Sequence, residues 1–379
     1  MARRFLTILL SAVSAAVWMS ATVPVSAQTR FVILGDMHMD RFDLHDMDYV
    51  FTRPSDWRQV TREYPYFTAA YYPKLLAAVR HRVDEGAAAV VQLGDLMEGV
   101  AGNDSLARAM ARWSVAQIDA AAGGAKVVLV KGNHDVSASP GQPEAWYDEV
   151  LPYVGRQSGQ KLENGMYRVS LEGDVDLFVA EQFFSPDRML PEQALLDFLK
   201  RELPLSTARH KFLLTHQPVI PVTERCWHLF SGIRRKVDDA SVRDEFLELL
   251  AANRVTVLCA HLHRYSKCVR QTRCGNVVQL MFVSTVDSYA SERKPQRVKG
   301  FPDPERMNAV WQPHTLEVRR SLLAAERPHI VLFGSSYRPG YAVAEVADDD
   351  VVIHFHDGYD DTPSESFSLK ELWSVRSEN

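Results

Sequence analysis

The residues best suited to chemistry in this chain fall in five short clusters: Asp36-Met37-His38, Gly94-Asp95 with Glu98 close behind, Gly132-Asn133-His134-Asp135, a single His216, and Cys259-Ala260-His261-Leu262-His263. They offer two aspartates, one asparagine carbonyl and four histidines as ligands, an oxygen and nitrogen set without thiolate that suits Mn, Fe or Zn. Seven donors, Asp36, His38, Asp95, Asn133, His216, His261 and His263, exceed what one tetrahedral zinc takes. They suit two divalent ions that share a carboxylate, and two ions roughly 3.5–4 Å apart can clamp a displacement at phosphorus. The last cluster, read on to Cys268 as CAHLHRYSKC, also has the form of a structural zinc string, with Cys259, His261 and His263 on one face if the strand alternates. That reading leaves Asp36, Asp95 and Asn133 without a purpose.

Each cluster follows an apolar run of strand length: RFVILG (30–35), AAAVVQLG (87–94), AKVVLVKG (125–132), HKFLLT (210–215) and RVTVLCA (254–260). The runs are nearly continuous rather than alternating, as in strands covered on both faces. Helical patterns lie between them. Residues 104–121 open on an Asp/Ser cap and are followed by Gly123-Gly124, 191–203 open on Pro191, and 241–252 follow Ser241. Strands alternating with helices predict a layered α/β sheet, and in such sheets ligands bind at the carboxyl ends of the strands. Residues 166–182 read as a hairpin around a Gly-Asp turn, and 277–284 and 330–356 add strands, the last two joined at ADDD. No linker divides residues 28–379, so a single domain is expected, with long insertions at about 39–73 and 285–328.

In this order, Asp-x-His, Gly-Asp, Gly-Asn-His-Asp, a lone His and a final x-His-x-His resemble the calcineurin-like metallophosphoesterases, over roughly residues 30–265 and the closing strands. The resemblance implies a β-sandwich of two mixed sheets flanked by helices, with the metal site at strand C-terminal ends. It implies that Asp36, His38 and His263 hold one metal, Asn133, His216 and His261 the other, and Asp95 bridges them. A metal-bridging hydroxide would attack phosphorus, and His134 would contact the phosphate and protonate the leaving oxygen. Glu98 occupies the place of an acidic residue that orients the catalytic histidine, while Asp135 could cap the following turn. The family usually has glycine where this chain has Ala260; glycine there would permit positive φ or a close backbone approach. The implied function is hydrolysis of a phosphorylated small molecule. The alternatives are a phosphodiesterase acting on a nucleotide-type substrate and a metal-retaining protein without activity.

Other features carry less. His354-Phe355-His356 reads as an outer strand with one solvated face. The stretch 56–72, DWRQVTREYPYFTAAYY, is either a substrate lid or a packed surface helix pair, and Arg41, Arg53 and Arg58 are candidate phosphate-side cations. At the N-terminus, Arg3-Arg4, an apolar stretch and small residues up to Ala27 form the pattern of a signal peptide, 1–27. A periplasmic or secreted protein without membrane contact after cleavage is expected, and its oxidising surroundings allow Cys268 and Cys274 to close a small loop. A net charge of -5 without a long basic run gives little support to nucleic acid as the primary partner, and none is expected.

Overall fold

The structure, a computed structural model, describes residues 29–62, 69–185, 188–189, 192–233, 240–285, 297–307 and 312–376. The leader expected at 1–27, Pro191, and parts of the stretches 56–72 and 285–328 lie outside these residues.

Two mixed sheets carry the fold. In the first, β1 (Thr29–Leu34), β2 (Ala87–Gln92) and β3 (Lys126–Leu129) run parallel. On the far side of β1 the sheet continues antiparallel through β14 (Gly340–Val346), β15 (Val351–Asp357) and β16 (Glu365–Ser368). In the second, β5 (Val175–Val179), β8 (His210–Leu214), β9 (Val255–Cys259) and β11 (Gly275–Met281) run parallel. That sheet has β4 (Tyr167–Leu171) at one edge and β10 (Tyr265–Thr272), β13 (Ile330–Ser336) and β12 (Arg297–Lys299) at the other. A short hairpin, β6 (Phe183–Ser185) and β7 (Arg188–Met189), stands apart. The sheets share one core, in which the Phe31 ring of β1 meets Phe212 of β8 edge-on at 5.5 Å. The continuous apolar runs are explained by this burial: all of Phe31 to Leu34 lies inside.

Helices cover the outer faces. The helix Asp104–Ala122 starts at Asn103, whose side chain accepts from the Leu106 amide at 3.0 Å, and stops at Gly123, which turns left-handed at φ 54°. Ala107, Met110, Ala111, Ser114 and Ile118 form its buried stripe at helical spacing.

Register makes this frame a platform. Leu34 pairs with Gln92 and Gln92 with Leu129, while Val179, Leu214 and Leu258 are level in the other sheet. The two sets of ends then meet. Asp36 bridges to Val283, and the Ser284 amide donates to the Asp36 carbonyl at 3.1 Å. A Cβ on Gly35 would stand 2.3 Å from the Phe282 carbonyl oxygen, so a side chain there would hold the sheets apart.

Several expectations are corrected. Residues 285–328 are not a bare loop: besides β12 they supply the helix Leu316–Glu326. Its Pro-rich approach hid it. β15 is not an outer strand, because β16 pairs with it. His356, beyond the reach of β16, is buried all the same, stacked on Tyr341 of β14 at 4.5 Å. All four cysteines are free thiols. Cys268 lies in β10 opposite Gln279, whereas Cys274 sits in the following turn, so an extended strand spanning about 13 Å from Cys268 to Thr272 separates them. In the 56–72 stretch the described ends pack as helix: Trp57 lies edge-on to Phe51 at 5.3 Å, and Tyr72 is buried. Among the described residues, no helix is long and apolar enough to cross a membrane.

Candidate metal centre

The first sheet delivers Asp36, His38, Asp95, Asn133 and His134 just past β1, β2 and β3. The second delivers His216, His261 and His263 past β8 and β9. Neither sheet has the set alone. His38, Asp95, His261 and His263 all adopt positive φ, between 47° and 78°. Non-glycine residues rarely do so, and such strain gathers at functional sites. The left-handed turns also break strand alternation after Cys259. Its thiol faces the Leu280 carbonyl instead of joining the two histidines, so the string is not a local zinc site. Ala260 is absent from the positive-φ residues, and its buried amide donates to the His216 carbonyl at 2.9 Å. The conformational freedom expected of a glycine at this point falls on His261 instead.

The ligand atoms converge. His38 Nε2 lies 3.0 Å from His263 Nε2, and His216 Nε2 lies 3.2 Å from His261 Nδ1. Two imidazole nitrogens each about 2.0–2.1 Å from one ion would be separated by roughly 3–3.4 Å, so both pairs fit a shared cation. Between them stands Asp95 Oδ2, 3.6 Å from His38 Nε2 and 3.2 Å from His216 Nε2. Its other oxygen is taken by the His134 amide at 2.7 Å. Asp36 Oδ1 lies 3.9 Å from His263 Nε2 and 4.0 Å from His216 Nε2. Asp36, His38 and His263 make one candidate ligand group, Asp95, His216 and His261 a second, and His38, Glu98 and His134 a third. Asn133 Oδ1 is buried without a hydrogen-bond partner. A buried carbonyl left so calls for a ligand.

Supporting hydrogen bonds fix the tautomers. His38 Nδ1 donates to Glu98 at 2.8 Å and His216 Nδ1 to the Leu93 carbonyl at 2.9 Å, which leaves Nε2 of each ring as the ligand atom. His261 turns Nδ1 towards His216, and its Nε2 lies 3.4 Å from the Gln217 carboxamide nitrogen. Gln217 escaped the sequence reading, although it directly follows His216. Glu98 does orient a histidine, but its carboxylate holds His38; its backbone carbonyl accepts from His134 Nδ1 at 2.8 Å. Asp135 does not cap the turn after it. Its carboxylate accepts from the Gly132 amide at 2.8 Å and the Met97 amide at 3.1 Å, stapling the Asn133 loop to the Asp95 loop. The loops touch so closely that a Cβ on Gly132 would fall 2.1 Å from Asp95 Oδ1.

The charges are arranged for cations. Burial pushes the Asp36 carboxyl up to about 7. Burial also opposes ionisation of Asp95, but His216, His134 and His38 outweigh it and keep that carboxylate well below its usual range. Burial would lower His134; the Asp95 and Glu98 carboxylates reverse this and hold it up at about 8. Two buried acids this close are eased by bound cations. Of the candidate phosphate-side cations, Arg41 pairs with Asp43, Arg53 bonds Asp56 and Tyr49, and Arg58 is exposed.

A two-sheet sandwich that gathers such a set at its strand ends defines a metallophosphoesterase. Residues 29–265 match the calcineurin-like phosphoesterase model, and the chain belongs to that family. None of the curated proteins matches the sequence. The fold is similar to that of the purple acid phosphatase PPD1 from yellow lupin (Lupinus luteus) seeds, with 15% identity and a TM-score of 0.51 over 92% of this chain and 56% of that one. It is also similar to PhoD, with 13% identity and a TM-score of 0.53 over 93% of this chain and 72% of that one. The chain thus spans little more than half the length of the lupin phosphatase.

Proposed function

We propose that this chain is an exported phosphoester hydrolase that works with two divalent cations, of the Mn, Fe or Zn kind. The observation that carries the reading is the place of Asp95 Oδ2, within 3.6 Å of His38 Nε2 on one side and 3.2 Å of His216 Nε2 on the other. Asp36, His38 and His263 would hold one cation, Asn133, His216 and His261 the other, with Asp95 between them. Bound there, the pair supplies positive charge to the phosphoryl oxygens and lowers the pKa of water.

The chain's own residues do the rest. Glu98 and the Leu93 carbonyl keep His38 and His216 in the ligating tautomer. His134 keeps a proton on Nδ1 through the Glu98 carbonyl, and its half-buried ring lies edge-on to His38 at 4.4 Å. Its Nε2 would protonate the leaving oxygen as water attacks phosphorus from the opposite side. Export rests on the leader pattern at 1–27.

Metal analysis of the purified chain, with turnover of an aryl phosphate monoester and an aryl diester in added Mn²⁺, tests the proposal. Two equivalents of metal and turnover of at least one ester are expected. Bound metal without turnover of either points to a metal-retaining binding protein instead.

A further inference from the structure

Lys131 stands two residues before Asn133, and none of its side chain is exposed. Its ammonium pairs with the equally buried carboxylate of Glu181 and donates to the Tyr147 hydroxyl at 2.8 Å. That hydroxyl in turn donates to Glu181 Oε1 at 3.3 Å, while Oε2 accepts from the Gly165 amide at 2.7 Å. The pair crosses the sandwich, because Lys131 follows β3 of the first sheet and Glu181 follows β5 of the second. Beside it, the Tyr167 hydroxyl of β4 bonds both the amide and the carbonyl of Leu129 at the end of β3, at 3.2 and 3.0 Å.

Each partner leads into one half of the second cation's proposed ligand set. On the Lys131 side comes Asn133, with its buried carbonyl oxygen. On the Glu181 side comes Gln182. Its carboxamide bonds the Thr215 hydroxyl and accepts from the Gln217 amide at 2.8 Å, so it grips the chain on both sides of His216. The next residue, Phe183, sets its ring 5.9 Å from that of His216 and 6.3 Å from that of His261. The set built on Asp36 is joined across the sheets elsewhere, where Asp36 meets Val283.

Burying a lysine and a glutamate costs solvation that their attraction does not reliably return, and apolar residues of similar volume often serve stability as well. What the pair does supply is a fixed distance. An ammonium held between a carboxylate and a hydroxyl tolerates little sliding of one sheet end past the other.

We propose that Lys131, Glu181 and Tyr147 are positioning residues for the second cation, a buried clamp that holds the Asn133 loop against the His216 loop. This rests on the two-cation reading above. The three residues act through the loops they join.

Lys131→Met with Glu181→Gln removes both charges, nearly keeps the volume and leaves an acceptor for the Gly165 amide, so the double variant is expected to fold. Metal-stripped wild type and variant are titrated with Mn²⁺ by calorimetry, without substrate. The wild type is expected to take two equivalents. The double variant is expected to hold one of them as tightly and to bind the other about 10- to 100-fold more weakly. At Mn²⁺ concentrations that fill both sites of the wild type, its electron paramagnetic resonance spectrum should change from that of a coupled pair to that of a lone ion. Equal weakening of both equivalents would show a merely structural pair, and two equivalents at wild-type affinity would show one that only fills the core; either result overturns the clamp. Should the double variant fail to fold, Tyr147→Phe, which removes only the hydroxyl bonded to both charges, carries the test. The same single equivalent is then expected to weaken, by a smaller factor, and no selective weakening overturns the clamp. A wild type that takes fewer than two equivalents refutes the two-cation reading, and the clamp with it. Two equivalents without turnover of either ester refute hydrolysis alone, and the binding comparison still decides the clamp.

Discussion

Glu98 and His38 are joined side chain to side chain, Oε2 to Nδ1 at 2.8 Å, and this bond turns His38 Nε2 onto His263. Both side chains are buried, so water offers no substitute partner. Glu98→Gln therefore leaves a weaker acceptor and frees the ring's tautomer. Metal affinity is expected to fall about 10- to 100-fold, read by competition with a chelator. Unchanged affinity would mean that the ring is held by packing alone.

His134 contributes no atom to the two groups built on Asp36 and Asp95, although its imidazole is edge-on to that of His38. His134→Ala is expected to lower kcat by about two to four decades while metal content stays near that of the wild type. Loss of metal in parallel with rate would place His134 among the ligands. Asp95→Asn should do the reverse, removing metal and activity together, because the bridging position needs a full carboxylate.

The candidate ligand set was legible in the sequence because each member follows an apolar run, and parallel strands of one sheet deliver their loops to the same end. What joined β8 and β9 to the same site was not legible: Asp36 meets Val283 across two sheets, a contact between residues far apart in the chain. Turn strain was hidden as well. Positive φ at His261 and His263 is imposed by tertiary packing, so Ala260 was weighed as the delicate position when its neighbours were. Gln217 and the split role of Glu98 depend on where side chain and carbonyl point, which motif spacing does not encode. The helix Leu316–Glu326 lay inside the stretch read only as an insertion at about 285–328.

That helix ends in a buried charge cluster. Glu326 accepts from Arg270 Nε at 2.8 Å and also from Arg243, and 5% of its side chain is exposed. Glu326→Gln keeps the volume but leaves two guanidiniums facing no anion. It is expected to cost about 3–5 kcal/mol in urea unfolding, as when one partner of a buried pair is removed. Lys370→Met, which breaks an exposed pair with Asp349, should barely move the midpoint. Equal small effects would show that solvent reaches the Glu326 cluster.

His356 gives the pH dependence a separate handle, since it lies in β15, away from the ligand loops. Burial first, then the nearby Arg82 charge, lowers its imidazole from 6.5 to about 4. The folded chain thus keeps His356 neutral where the unfolded chain binds a proton. The sign follows: the neutral ring's contribution is complete above pH 6.5 and is lost as pH falls from there towards 4, at no more than about 1.4 kcal/mol per pH unit. His356→Phe preserves a ring to stack on Tyr341 and removes the titration, at the cost of the 3.0 Å bond to the Asp360 carbonyl. Urea unfolding at pH 7 and pH 4.5 should therefore find the variant less stable at neutral pH, with a smaller acid loss than the wild type. Equal acid losses in the two chains would show that His356 is protonated in the folded state as readily as in the unfolded one.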